Sequence, residues 1–182
     1  TSGNRPVYKT SGGMYGGSYV QLTNASSQFL TVNNFTIDPT VNGGWTAIAI
    51  VRFRGSPVSN EAVFDFGASS GFNNNITVRR SGTSSGMNVQ CWNGWTQLAN
   101  FTVANCIVQD QWAVYVVRHG LTSKVTELIL NRNVIGSGTG NENMYSRGVN
   151  YNYIGRNIDG SGYANMDIGG FYFYNYKLTD AQ

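Results

Sequence analysis

The sequence predicts an all-β protein, a two-sheet antiparallel sandwich of jelly-roll type, and three observations carry that expectation. Glycine and asparagine fill 23 and 22 of the 182 positions, and both favour turns over helix interiors. Yet 41% of residues are hydrophobic and 13% aromatic, which is core-building material rather than the composition of a disordered chain. Short apolar or alternating segments recur between polar turns along the whole length, the spacing of a sandwich.

The segments follow in order. After a glycine-rich lead-in, RPVYKTSGGMYGG, a first strand covers residues 18–22. SSQFLTVNNFTI supplies a second, centred on Phe29 and Leu30. GGWTAIAIVRFRG is an apolar run bounded by glycines, the pattern of a central strand covered on both sides. EAVFDFG and NNITVRRSG follow, separated by the turn-rich ASSGFNN. GMNVQCWNG alternates, with Met87, Val89 and Cys91 on one face and Asn88, Gln90 and Trp92 on the other. QWAVYVVRHG and TELILNRNVIG form a pair joined through LTSK, and VNYNYIGRN and DIGGFYFYNYKL complete the set. In the last strand Phe171 and Phe173 alternate with Tyr172, Tyr174 and Tyr176. One set faces the core; the other lines a sheet surface or a subunit interface. No helix is expected before Thr179, which has the N-cap position with Gln182 at the capping-box position. No composition break divides the chain, so residues 1–182 are expected to form one domain, a segment of a larger multidomain protein.

Charge and cysteine content narrow the partners. The net charge of +3 comes from nine Arg and three Lys scattered along the chain, with Arg79 and Arg80 the only adjacent pair. Nucleic-acid binders concentrate basic residues on a stripe, so nucleic acid is not an expected partner. No run of about 18 apolar residues predicts a membrane-spanning helix, and the N-terminal residues lack an export-signal pattern. Cys91 and Cys106 match no zinc spacing. They either pair across neighbouring strands or remain two buried thiols. Asn24, Asn34, Asn75 and Asn100 each begin an acceptor sequon for N-glycosylation.

Several stretches, in this order, resemble the laminin-G-like members of the concanavalin A-like lectin/glucanase superfamily. RPVYKTSGGMYGGSYVQL is similar to the family's lead-in and first strand, WTAIAIVRFRG to its central apolar strand, and QDQWAVYVVRHG to its Trp-centred strand. TELILNRNVIGSGTG resembles its Asn-Gly hairpin, YNYIGRN its Ile-Gly-Arg signature, and MDIGGFYFYNYKLTDAQ its closing strand and short acidic helix. Two departures stand out. Leu22-Thr23-Asn24 replaces the usual Phe-Asp-Gly, and Gly170 stands where relatives commonly carry Glu. The resemblance implies a jelly-roll sandwich of the sort found in bacterial surface proteins, phage tails and large-virus structural proteins.

The acids argue against a hydrolase built on one strand, and leave open only carboxylates that converge from different strands. Glycosidases of this fold place carboxylates at alternate positions of one strand, and none of the nine acidic residues lies two from another. A polysaccharide lyase needs less: a Tyr or His base and a cationic or amide partner for the uronate. Its candidates are His119 or Tyr115 as base with Arg118 or Gln90 as partner, although the adjacent His119 and Arg118 point to opposite faces of a strand. No Gly-x-Ser-x-Gly elbow occurs, and GSGTGN is a hairpin turn rather than a phosphate loop.

Binding without catalysis fits better. Trp92 and Trp95 flank an Asn-Gly turn where rings can stack on sugars, and Gln90 shares a face with Trp92 and offers an amide to hydroxyls. The competing assignment puts one or both Trp in the core. A second candidate is the loop RNIDGSGY, whose Asn157, Asp159 and Tyr163 suit a sugar or Ca²⁺, or simply build a turn. The expectation is a non-catalytic, lectin-like glycan-binding or adhesion module of a cell-surface, secreted or virion-surface protein, with no required cofactor. A lyase acting on an anionic cell-wall glycan is the first alternative. A scaffold domain that binds neighbouring domains or subunits is the second.

Overall fold

A computed structural model describes residues 5–70, 74–140 and 144–182; Glu142 and part of the ASSGFNN turn lie outside them. The described residues build two large antiparallel sheets. The seven-stranded sheet has the order β1 (Val7–Lys9), β2 (Tyr19–Leu22), β15 (Met166–Tyr174), β5 (Gly44–Phe53), β10 (Ala113–Gly120), β11 (Val125–Leu130), β12 (Asn133–Thr139). The six-stranded sheet runs β3 (Leu30–Thr31), β14 (Tyr151–Ile154), β6 (Ala62–Gly67), β7 (Asn75–Arg80), β8 (Met87–Asn93), β9 (Thr96–Val103). The short strands β4 (Phe35–Ile37) and β13 (Arg147–Val149) pair with each other. This is the antiparallel sandwich that the turn-rich, apolar sequence predicts.

Period-two alternation sends one face of each strand inward. On β5, Trp45, Ala47, Ala49, Val51 and Phe53 are buried, opposite Tyr115, Val117 and His119 of β10. Phe64 and Phe66 of β6 cross the gap to Phe171 of β15 at ring distances of 5.2 and 5.4 Å. Phe35 wedges between Phe66 and Phe173, at 5.5 and 5.1 Å. Such aromatic pairs add about 0.5–1.5 kcal/mol each beyond their buried area. Trp45 stacks between His119 and Phe173 and donates Nε1–H to Met144 Sδ at 3.0 Å.

Several sequence expectations are corrected. β5 is central, but only one face is covered, since Ile48 and Ile50 on the other are half-buried. The segment SSQFLTVNNFTI is two strands in different sheets, β3 and β4. TELILNRNVIG is likewise two, because Asn131 and Arg132 both take positive φ, +47° and +79°, as a type I′ hairpin turn demands. β1 and β9 were not expected as strands. A register shift beside Trp92 buries Leu98 and Ala99 in succession on β9, which erases the alternation that would announce it. One turn of helix, Pro39–Asn42, precedes β5; Asp38 caps it by accepting from Thr40 N, with Pro39 at the first position. At Thr179 the described chain forms a turn rather than a helix, with Thr179 N–H donating to Gln182 Oε1 at 3.1 Å. Cys91 and Cys106 are both buried and unpaired.

Buried acids are committed to structure. Asp167 is fully buried and takes Arg52 at 2.6 Å and Arg54 at 2.8 Å, which joins β15 to β5 and the loop after it. Glu61 receives Arg80 Nε at 2.6 Å, the two side chains being 0% and 1% exposed, and accepts from Asn165 N. The rest of the Arg80 fork donates to Ser84 O and Gln109 Oε1. Removing one partner of such a pair strands a buried charge, at a cost of about 3–5 kcal/mol. Glu61→Gln is therefore expected to lower the urea unfolding midpoint by that amount of stability. Glu61→Leu combined with Arg80→Met should recover much of it. A Glu61→Gln chain as stable as the wild type would show that the pair does not hold the end of β7 to the start of β6.

Candidate functional site

The core-facing set on the six-stranded sheet forces the alternate residues onto its outer face. Register aligns Tyr153, Asp65, Thr77, Gln90 and Asn100 in one row across β14, β6, β7, β8 and β9. A neighbouring row holds Arg79, Asn88 and Thr102, and Trp92 pairs with Gln97 in another. The loop 155–165 folds over part of this face. Gly155 and Gly160 take φ of +88° and +84° to turn it. Asp159 Oδ1 accepts from Ser161 N and Ser161 Oγ, and Asn157 Nδ2 donates to Asn60 O. Ile158 lies directly over Gly67, where any Cβ would come within 2.4 Å of its Cδ1.

The sequence candidates therefore separate into two groups. Gln90 and Trp92 are half-buried on the open part of the face over β7, β8 and β9. Trp95 projects from the β8–β9 turn at 84% exposure. That turn consists of Gly94 and Trp95, with Gly94 at φ +59°, rather than of Asn93 and Gly94. Asn157 is buried and anchors its own loop, and Asp159 closes the turn. Tyr163 is half-buried and packs against Phe29. Among the described residues no three His, Cys, Asp or Glu side chains cluster. Asp159 is the one carboxylate of its loop, and its Oδ1 accepts from Ser161.

Sequence reasoning missed the polar surroundings of Gln90. Asn88 Nδ2 donates to Asn100 Oδ1, Thr102 Oγ1 and Phe101 O, which fixes its amide across β8 and β9. Asn100 and Thr102 are exposed beside it. The alternation of GMNVQCWNG signalled Asn88; only the pairing of β9 could add Asn100 and Thr102.

The lyase candidates fail on geometry. His119 is fully buried under Trp45, and burial, reinforced by the Arg147 and Lys177 charges, brings its pKa down to about 4. Tyr115 is buried and donates its hydroxyl to Cys106 O; burial pushes its pKa up. Neither base reaches a surface. Arg118 faces outward, bound to Glu127 and Asp180. Of the four sequons, Asn75 is fully buried with Nδ2 bonded to Asp65 and Thr77, so the folded chain cannot carry a glycan there. Asn34 and Asn100 are exposed, and Asn24 donates to Tyr163 O.

A groove of about 860 Å³ lies on the other sheet. Ile48, Ile50, Val114, Val116 and Ile129 give it an apolar floor, and Arg118, Asn131, Arg132 and Asp180 line it as well. No helix among the described residues is long and apolar enough to cross a membrane.

A family model of the concanavalin A-like lectin/glucanases superfamily matches residues 15–182, and the chain belongs to that superfamily. No curated protein matches it by sequence. Among solved structures, NanB sialidase from Streptococcus pneumoniae superposes with a TM-score of 0.67 at 16% identity, over 94% of this chain and 27% of that one. The chain thus spans about a quarter of that sialidase. The CBM40 of the Ruminococcus gnavus IT-sialidase gives a TM-score of 0.63 at 13% identity, over 84% of this chain and 92% of its own. It has also been solved bound to α2,3-sialyllactose. A SAP-like pentraxin from Limulus polyphemus gives 0.58 at 11% identity, over 82% and 70%. At these identities the likeness is one of fold.

Asp65 ties the loop to the sheet. It accepts from Ile158 N at 3.0 Å, Thr77 Oγ1 at 2.8 Å and Asn75 Nδ2 at 3.1 Å. Complete burial outweighs these bonds and the Arg79 charge, and raises its pKa from 3.8 to about 6. A carboxyl whose pKa rises on folding favours the native state at low pH, and that contribution is lost as pH climbs from about 4 to about 6. Asp65→Asn keeps an acceptor for Ile158 N and removes the titration. The stability of this variant relative to wild type should rise by about 2–3 kcal/mol between pH 4 and pH 7, read from urea denaturation at several pH values. A difference that stays constant with pH would sink this account of Asp65.

Proposed function

We propose that this chain is a non-catalytic glycan-binding module that serves adhesion or attachment at a cell surface, in a secreted protein or on a virion. One observation carries the reading: an uncovered strip of three amides, a hydroxyl and an indole, Asn88, Gln90, Asn100, Thr102 and Trp92, on the sheet face opposite the core. Saccharides present hydroxyls and apolar ring faces together, and this strip offers both kinds of partner on rigid strands. Membership of a lectin-containing superfamily and the fold shared with a sialidase carbohydrate-binding module support it. The commitment of Asp65, Glu61 and Asp167 to internal bonds and the burial of His119 and Tyr115 favour binding over turnover.

A second reading, a scaffold domain held by protein neighbours, is favoured by the apolar floor of Ile48, Ile50, Val114 and Val116 on the other sheet. A glycan array separates the two, read with and without Ca²⁺ on protein from a host that does not glycosylate Asn100, whose sugar would cover the strip. Binding is expected there. Trp92→Ala and Gln90→Ala should each weaken it at least tenfold, about 1.4 kcal/mol, with an unchanged melting temperature for Gln90→Ala. A protein that binds no glycan on the array, or binds equally after both substitutions, overturns the assignment of this face.

A further inference from the structure

Arg156 follows β14 by two residues, after Gly155 has turned the chain across the sheet face. Its guanidinium carbon lies 4.1 Å from the ring centre of Tyr153, 4.5 Å from that of Phe29 and 5.8 Å from that of Tyr163. Phe29 and Tyr153 meet edge to face, at 5.5 Å and 85°. The guanidinium therefore sits in a corner with aromatic walls. Its Nε donates to Asn157 O at 3.2 Å, which fixes the plane of the group. The two terminal nitrogens make no bond to the described residues and stay open to water. Among the described residues no carboxylate pairs with this arginine.

Two other arginines show what this arrangement lacks. Arg52 rests over Trp112 at 4.9 Å and Arg80 over Phe53 at 4.8 Å. Arg52 donates Nε and Nη2 to the buried Asp167, and Arg80 donates Nε to the buried Glu61. Aromatic faces displace water from the flat sides of a guanidinium and leave its edge donors aimed outward, the geometry that takes a carboxylate bidentately. At Arg156 the aromatic support is present and the acid is not. The cradle also shares a face with the polar strip. Tyr153 lies in the same row as Gln90, three strand spacings or about 14 Å away. The exposed Thr31 pairs with Tyr153 and brings a hydroxyl to the same corner.

Resting on the glycan-binding reading above, we propose that Arg156 is an acid-recognition subsite that takes the carboxylate of an acidic sugar, a uronic or a nonulosonic acid, in its guanidinium fork. Uronate-containing oligosaccharides, sialyl-terminated oligosaccharides and their neutral counterparts are titrated calorimetrically against wild type, Arg156→Lys and Arg156→Gln. One of the two acidic classes should bind at least tenfold more tightly than its neutral counterpart, and the arm that does so identifies the source of the carboxylate. Arg156→Gln should abolish that preference and leave neutral-sugar binding intact, while Arg156→Lys keeps part of it. Since Arg156 also braces its loop, the methyl ester of the acidic ligand is titrated against wild type as well. Loss of the same tenfold on esterification tests the subsite without altering the protein. Equal binding of acidic and neutral sugars, or a preference that survives both Arg156→Gln and esterification, overturns this subsite while the glycan-binding reading stands. Failure of every glycan overturns both.

Discussion

The contact of Phe64 and Phe66 with Phe171 and Phe173 across the sandwich is the constraint on which the other features depend. Strand side chains alternate, so burying Phe64 and Phe66 throws Asp65 onto the outer face of its sheet. Antiparallel register then passes that choice along, from Asp65 to Thr77, Gln90 and Asn100. Burying Phe171 and Phe173 likewise expels Tyr172 and Tyr174 onto the outer face of the other sheet. A shift of one residue in either strand would exchange core and surface together. The polar strip exists because the aromatic cluster does.

The two outer faces differ, and the difference has a physical use. On the six-stranded sheet, polar side chains are held by one another and by a loop that an aspartate pins through Ile158 N. For the glycan binding proposed at this face, little order would remain to be imposed, which preserves binding free energy that a flexible loop would lose. On the seven-stranded sheet, branched aliphatics of β5 and β10 form an apolar floor with Arg118, Asn131, Arg132 and Asp180 beside it. The ions sort in the same way. Arg52, Arg54, Arg80 and Arg118 neutralise acids within the fold, whereas the fork of Arg156 is presented outward from an aromatic corner.

Much of this was legible in the chain. Glycine and asparagine content, aromatic strands and alternation in GMNVQCWNG and DIGGFYFYNYKL determine the class of fold, because turn chemistry and side-chain period are local properties. The same alternation put Gln90 and Trp92 on one face and Cys91 inside. The ordered likeness to the superfamily extended the reading over nearly the whole length.

What sequence alone left undecided depends on which strands become neighbours. β9 hides its alternation behind a bulge, so Asn100 and Thr102 join the strip only once it pairs with β8. His119, at a strand end in the sequence, lies under Trp45 because β10 pairs with β5. Asn157 looked like a ligand residue and is an anchor, since its loop folds back onto Asn60. Arg156 gains its setting from Phe29, more than a hundred positions away in the chain. Side-chain period is written residue by residue, whereas burial and partnership are set by contacts between distant segments, and those only the tertiary structure decides.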